Sequence, residues 1–501
     1  MITNLIILPS ALSLLMLSLI LLSWQSTLVQ KICHVGGLIG LWCLSLLIMK
    51  QVNQYHYLVL QLGNWQAPFG LTFVADGLSA IVFLAMSTTL VCCGLYALAD
   101  IEKSQYKSGF LLAFWVLTLG LCGVLFTGDL FNLYVWFEVI LIGSFILMGL
   151  GKPTFWLYNK FKYVILNLTG TFLMLTAIAM MYGYSGTLNM ADFAQTALLH
   201  KNTNSGGLLL SIVLLFFLAL AIKSATFPVF NWLPAAYHST SHTTSSLMGG
   251  LITKIGLYVI MRFWFNIYPL HSTFLTSLII FLALATMILG VLGAIAQYDY
   301  RRILAFDIIS QVGYVLLAVG LATRQALAAA IFFLIHNILT KMTLFMTAGI
   351  ANALTGQQDI RKMGGIYQFY PKLAWLFLIP ALSLAGLPPL AGFWAKFLIV
   401  KSALSGGDLA LAFIILAVSL VTLYAMSRIW QLAYWQPAQT YLNLPHQSPN
   451  GNLGGLIFPT ALGVAAILLI SLYPFPLYHF IQITSRELIN PELYIHAVLG
   501  V

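Results

Sequence analysis

The chain has 501 residues, 61% of them hydrophobic and only 7% Asp, Glu, Lys or Arg. A soluble domain carries about 25% charged residues, so this composition excludes a water-solvated globular protein and requires a surface that faces mostly lipid. The formal net charge of +10 does not indicate a nucleic-acid partner, because the basic residues fall in short loops between hydrophobic runs, where membrane orientation explains them.

From the N-terminus onward, hydrophobic runs lie near residues 3–24, 32–50, 77–98, 109–127, 130–150, 162–183, 207–238, 240–262, 273–296, 303–322, 326–351, 373–404, 409–433 and 455–473. Each is long enough to cross a hydrocarbon core of roughly 30 Å. Backbone groups in lipid must bond internally, and these runs are too long for barrel strands, so the expected fold is an all-α polytopic membrane protein of about fourteen transmembrane helices. The first run lacks a basic leader and a following small-residue cleavage site, which predicts a retained span and not a signal peptide. Residues 52–73, with Tyr55, Tyr57, Trp65, Pro68 and Phe69, read as an interfacial loop holding a short hairpin. Residues 186–200 read as a surface helix, and 474–501 as a short interfacial helix.

Orientation follows from Lys and Arg. With both termini extracytoplasmic, the loops facing the cytoplasm, among them those with Lys103, Lys107, Lys152, Lys160, Arg301 and Arg302, hold about twice the basic residues of the opposite side, which counts Lys201 and Arg262, as the positive-inside rule requires. That arrangement describes a multi-pass membrane protein with both ends on the extracytoplasmic side. The five cysteines, Cys33, Cys43, Cys92, Cys93 and Cys122, lie in or beside hydrophobic runs and form no CxxC pair. They read as small packing residues. No P-loop, dinucleotide fingerprint or haem or flavin motif occurs, so no cofactor, metal site, redox chemistry or ATPase chemistry is expected.

Two runs are too long and are interrupted. The seventh contains AIKSATFPVFNWLP, with Pro228 and Pro234, and the twelfth contains IPALSLAGLPPLAGFWAKF, with Pro380, Pro388 and Pro389. Proline removes backbone donors and breaks a helix. Five spans separate the breaks, so the two broken helices run in opposite directions. Paired broken helices of this kind point to inverted repeats. The predicted organisation is spans one to three in 1–108, a first five-helix repeat in 109–262, a second in 263–433, and a last span with an interfacial tail in 434–501.

A charged side chain near the bilayer centre costs roughly 2.5–3.5 kcal/mol on insertion scales. Glu138, in FNLYVWFEVILIGSF, Lys223 before the first break, Lys254 in GGLITKIGLYVIM, His336 and Lys341 in IFFLIHNILTKMTLFM, and Lys396 after the second break all read as membrane-buried. Burial disfavours the charged form of acids and bases alike, and a neighbouring opposite charge restores it. Such residues therefore suit a proton relay, with Glu138 and Lys223 as the natural switching pair. The competing readings are an ion pair that only locks helices, and for Lys341 a side chain reaching the cytoplasmic side. Asp307 follows Arg301 and Arg302 closely, so a local salt bridge there is as reasonable as a transport role. His238 and His242 read as polar gap-fillers.

At these residues the sequence resembles the antiporter-like subunits shared by Mrp-type multisubunit cation/proton antiporters and the membrane arm of respiratory complex I. The stretches that carry it are LITKIGLYVIMR (251–262), YDYRRILAFDIISQVGYVLLAVG (298–320), DIRKMGGI (359–366) and IPALSLAGLPPLAGFWAKF (379–397), and within that family they look most like the Mrp D subunits. The resemblance implies fourteen helices with two inverted five-helix repeats. It also implies exchange of sodium or another monovalent cation for protons, with other membrane subunits of the complex as partners. Glu138, Lys223, Lys254, His336, Lys341 and Lys396 match the family's relay positions. The chain departs from it in HSTSHTTSS (238–246), where relatives often carry a proline-containing segment, and at Asp307 and Asn337, where histidine is common. The alternatives are a proton-pumping subunit of a complex I-type enzyme and a structural scaffold subunit.

Overall fold

The computed structural model describes residues 3–150, 157–199, 206–268, 273–437 and 452–500. Among them, eleven helices are long and apolar enough to cross a membrane, and three shorter apolar helices accompany them. The architecture is all-α and polytopic. The chain starts with α1 (Leu8–Leu22) and α2 (Thr27–Tyr55). An antiparallel ribbon of β1 (Leu58–Gln61) and β2 (Thr72–Ala75) then fills the loop where a hairpin was expected, with Leu58 opposite Ala75. Helices α3 (Gly77–Asp100), α4 (Lys103–Lys107), α5 (Phe110–Phe126), α6 (Leu130–Gly149), α7 (Leu157–Ser185) and α8 (Met190–Leu199) follow. The helix expected on the surface is α8, and it buries Met190, Phe193 and Ala197.

Both interrupted runs are broken helices. The first is α9 (Gly206–Ser224) followed by α10 (Trp232–His238). After α11 (His242–Arg262), α12 (Thr273–Ala296), α13 (Tyr300–Gly320), α14 (Arg324–Thr355) and the short α15 (Ile366–Phe369), the second is α16 (Pro371–Ala385) followed by α17 (Ala391–Ser405). The two breaks begin alike. Ala225 (φ 57°) and Gly386 (φ 88°) take the left-handed conformation. One residue later, Thr226 N–H bonds Ala221 O at 2.9 Å and Leu387 N–H bonds Leu382 O at 3.1 Å. This six-to-one closure satisfies one carbonyl of the ending helix and leaves others open.

The chain continues through α18 (Leu409–Ile429) and α19 (Leu453–Leu472), then ends in two helices, α20 (Phe475–Ile489) and α21 (Pro491–Leu499), where one was expected. Pro491 starts the second helix, a position where its missing N–H breaks no helical bond. Helix α20 packs on α3 and α14. Outside the spans, His56 Nδ1 lies 2.6 Å from Glu487 Oε1; burial pushes the Glu487 carboxyl up, and the histidine opposes that shift. Of the cysteines, Cys92, Cys93 and Cys122 are buried and Cys43 faces outward.

Several contacts recur 170 residues apart. Asp129 and Asp299 cap α6 and α13. Leu130 N–H bonds Leu188 O, and Tyr300 N–H bonds Gln358 O. Gly143 lies on the backbone of Leu117, and Gly313 on that of Met287, so close that a Cβ would fall 2.7 Å and 2.6 Å from backbone nitrogen. Asn167 Nδ2 donates to Tyr163 O as Asn337 Nδ2 donates to Phe333 O.

Helices α11, α13 and α14 are sheathed by the others and almost wholly buried, whereas α2, α7, α12 and α18 expose broad apolar faces. Arg262 was counted above as a loop cation outside the membrane. It is instead buried at the end of α11, with Nη2 2.9 Å from Asp76 Oδ1 and Nε donating to Tyr258 Oη at 3.0 Å. Lys152 and Lys201, also used for orientation, lie outside the described residues.

Candidate functional site

Lys254, His336, Lys341 and Lys396, from α11, α14 and α17, converge in the interior, and none is more than 6% exposed. Lys341 Nζ and Asp307 Oδ2, on neighbouring helices α14 and α13, form an ion pair with no exposed surface on either side chain. Asp307 Oδ1 also accepts from Gln311 Nε2 at 3.2 Å. Lys254 and Lys396 both lie within electrostatic reach of Asp307 and Lys341, and His336 within reach of Lys341 and Lys396.

The second break builds its own part of this site. Lys396 Nζ donates to Ala385 O, at the end of α16, at 3.2 Å and to Ser419 Oγ on α18 at 3.0 Å. The ammonium also sits 5.0 Å from the Tyr314 ring centroid. Gly386 leaves room for the lysine stem, since a Cβ there would fall 2.9 Å from Lys396 Cδ. His336 Nε2 lies 2.8 Å from Ser383 Oγ, one turn before the break. Gly392 allows this approach, because a Cβ on it would fall 1.7 Å from Ser383 O. On α11, Lys254 Nζ donates to Gly249 O.

Around these groups, Thr253 Oγ1, Ser310 Oγ, Gln311 Oε1, Asn337 Oδ1, Thr340 Oγ1 and His336 Nδ1 are buried without a hydrogen-bond partner among the described residues. Buried polar atoms are otherwise almost always paired, with protein or with ordered water.

Away from this cluster, Lys223 closes α9 just before its break and is 4% exposed. Its ammonium lies 4.9 Å from the Phe137 ring centroid. Glu138, next to that phenylalanine, is within electrostatic reach, but no direct ion pair joins the two, so the helix lock weighed above is not formed. Glu138 is half-buried. It lies on the face of α6 that exposes Phe131, Val135, Ile142 and Phe145. Helix α11 connects Lys223 to the cluster: Gly256, two residues beyond Lys254, rests on Lys223 and Ser224.

The structure decides against two of the competing readings. Lys341 is fully buried and reaches neither surface. Asp307 does not pair with Arg301 or Arg302, because five or six residues carry it around the helix away from both. Arg301 Nη1 instead donates to Thr240 O at 2.6 Å, and Arg302 Nη2 lies 3.1 Å from His238 Nε2. The departing segment 238–246 is folded into the core, where Ser241 caps α11 and Thr243 bonds Asp100 Oδ2 through N–H and hydroxyl at 2.9 and 2.7 Å. Ser383, Ser419 and the Ala385 carbonyl carried no signal in the sequence, being ordinary residues of apolar runs.

Residues 127–422 match the family model described as NADH:quinone oxidoreductase/Mrp antiporter, transmembrane region. The chain is 36% identical to the D subunit of the Na(+)/H(+) antiporter of Alkalihalophilus pseudofirmus, over 99% of both chains. It is 34% identical to the corresponding Na(+)/H(+) antiporter protein of Bacillus subtilis, again over 99% of each. Its fold matches a chain in the structure of the Mrp complex from Dietzia sp. DQ12-45-1b with a TM-score of 0.90 and 27% identity, covering 100% of this chain and 99% of that one. A chain of an archaeal membrane-bound sulfane sulfur reductase shares the fold, with a TM-score of 0.88 at 24% identity over 99% of each chain. With its buried lysines placed on helices of that common fold, the chain belongs to the NADH:quinone oxidoreductase/Mrp antiporter family of membrane proteins.

Proposed function

We propose that this chain is the proton-translocating subunit of a multisubunit Na+/H+ antiporter in a prokaryotic cell membrane. Protons pass along Glu138, Lys223, Lys254, Lys341, His336 and Lys396, while the chain itself performs no redox or ATPase chemistry. The observation that carries this reading is the cluster of lysines and a histidine buried in the interior within reach of one another. The unpartnered hydroxyl and amide oxygens among them suit water bridges between successive proton holders. The antiporter relatives, alike over nearly their whole length, support the sodium/proton assignment.

Partner subunits are part of the reading. A carboxylate on an exposed apolar stripe at membrane depth is costly in lipid, so Glu138 favours a neighbouring protein against α6. The recurrence of contacts 170 residues apart supports two inverted five-helix repeats, 109–262 and 263–433, within a fourteen-span chain whose termini are both extracytoplasmic. The experiment is cation-dependent proton flux in everted vesicles carrying the whole complex, with assembly of each variant checked. Loss of flux in assembled Glu138→Gln and Lys396→Ala variants supports the relay, and retained flux in both removes it.

A further inference from the structure

The shift of 170 residues that relates the two halves carries Glu138 onto Ile308, so the second half has no carboxylate at the matching place. The carboxylate nearest that place is Asp307, one residue earlier, and one residue turns a side chain by about 100° around the helix. The rotation changes its company. Glu138 faces the flank of the protein with no direct partner among the described residues, whereas Asp307 faces the interior and holds Lys341.

Three lysines surround this carboxylate: Lys341 in direct contact, and Lys254 and Lys396 within electrostatic reach. Tyr314 and His336 stand nearby and add no negative charge at neutral pH. Among the described residues, no other carboxylate stands beside these lysines. Like charges in a low-dielectric interior repel strongly, and one carboxylate balances one ammonium. A cluster of three potential cations around one anion therefore favours a single full ion pair at a time.

We infer that Asp307 is the shared counter-ion of this cluster, positioning the proton by pairing with whichever of Lys341, Lys254 and Lys396 carries it. The proposal rests on the relay reading above. Each step moves one proton from an ammonium Nζ to a neutral lysine Nζ through bridging water. Asp307 remains ionised throughout, so the net charge of the cluster is unchanged. The Gln311 amide, bonded to Oδ1, steadies the carboxylate while Oδ2 exchanges partners.

The test is cation-dependent proton flux in everted vesicles carrying the complete complex, with assembly measured for each variant. Asp307→Asn loses more than about tenfold in flux, on the scale of losing a hydrogen bond to a charged group, and Asp307→Glu restores most of it. Because Asp307→Asn leaves Lys341 unbalanced and can impair folding, the double variant Asp307→Asn with Lys341→Met removes both charges, which is usually tolerated. The proposal expects this double variant to assemble and still lack flux. Assembly with flux restored, or failure of the double variant to assemble, assigns the pair to helix locking and overturns it. Normal flux in assembled Asp307→Asn, with flux lost in Lys396→Ala, also overturns it and leaves the relay standing. Normal flux in both variants removes the relay itself.

Discussion

Lys396 Nζ and the carbonyl oxygen of Ala385 lie 3.2 Å apart, so the ammonium rests on the open C-terminal end of half-helix α16. That end carries the partial negative charge of unsatisfied carbonyls. The second break thus makes a cation seat at membrane depth, where an unbroken helix would have bonded every carbonyl internally. Ser419 completes the seat by bonding both Lys396 and Ala385.

Ser419→Ala removes one of the two acceptors of Lys396 and leaves the carbonyl. One hydrogen bond to a charged group contributes about 1.5–3 kcal/mol. The expected outcome is a partial fall in proton flux with normal assembly, read in everted vesicles beside Lys396→Ala, which is expected to lose flux altogether.

Asp76 and Arg262 anchor the start of α3 to the end of α11, with side chains 4% and 3% exposed. Removing one partner strands a buried charge, at a cost of about 3–5 kcal/mol. Asp76→Asn is therefore expected to lower the thermal unfolding midpoint and the yield of the purified complex. A combined Asp76→Asn and Arg262→Met variant should recover part of the loss. An unchanged midpoint in the single variant would show that the pair does not anchor these helices.

Gly313 lets α13 lie directly on the backbone of α12 near Met287 and Ala283. Gly313→Leu must push these helices apart, and overpacking of this kind costs about 1–3 kcal/mol. Lower thermal stability of the complex is expected, together with a displaced Asp307, two turns back on the same helix. Gly149→Leu, where an added Cβ meets no atom within 4 Å among the described residues, is the control expected to leave stability unchanged.

Glu138→Gln keeps the size of a side chain that forms no ion pair with Lys223. It is expected to leave assembly intact and to abolish proton flux. A variant that fails to assemble while the few complexes formed transport normally would return Glu138 to a structural role.

Much of the fold was legible because lipid leaves few options: long apolar runs had to be helices, and Pro228 and Pro388 marked the two breaks. The buried lysines were legible for the same reason, since nothing but a task or a partner keeps Lys254 or Lys396 in an apolar run. Pairing was not. Which side of a helix a residue faces depends on its packing neighbours, so Asp307 gave no sign of choosing Lys341 over the two arginines nearer in sequence. Arg262, judged to be in a loop because a hydrophobic run ended there, was claimed by Asp76, 186 positions earlier in the chain. The apolar stripe around Glu138 became visible only once the buried face of α6 was known.

The most direct test of the account is proton flux through assembled complexes carrying Lys396→Ala, measured in everted vesicles with sodium added to start exchange. The account predicts normal subunit composition and no sodium-dependent proton movement. Sodium-dependent movement at the parental rate in that variant would contradict it.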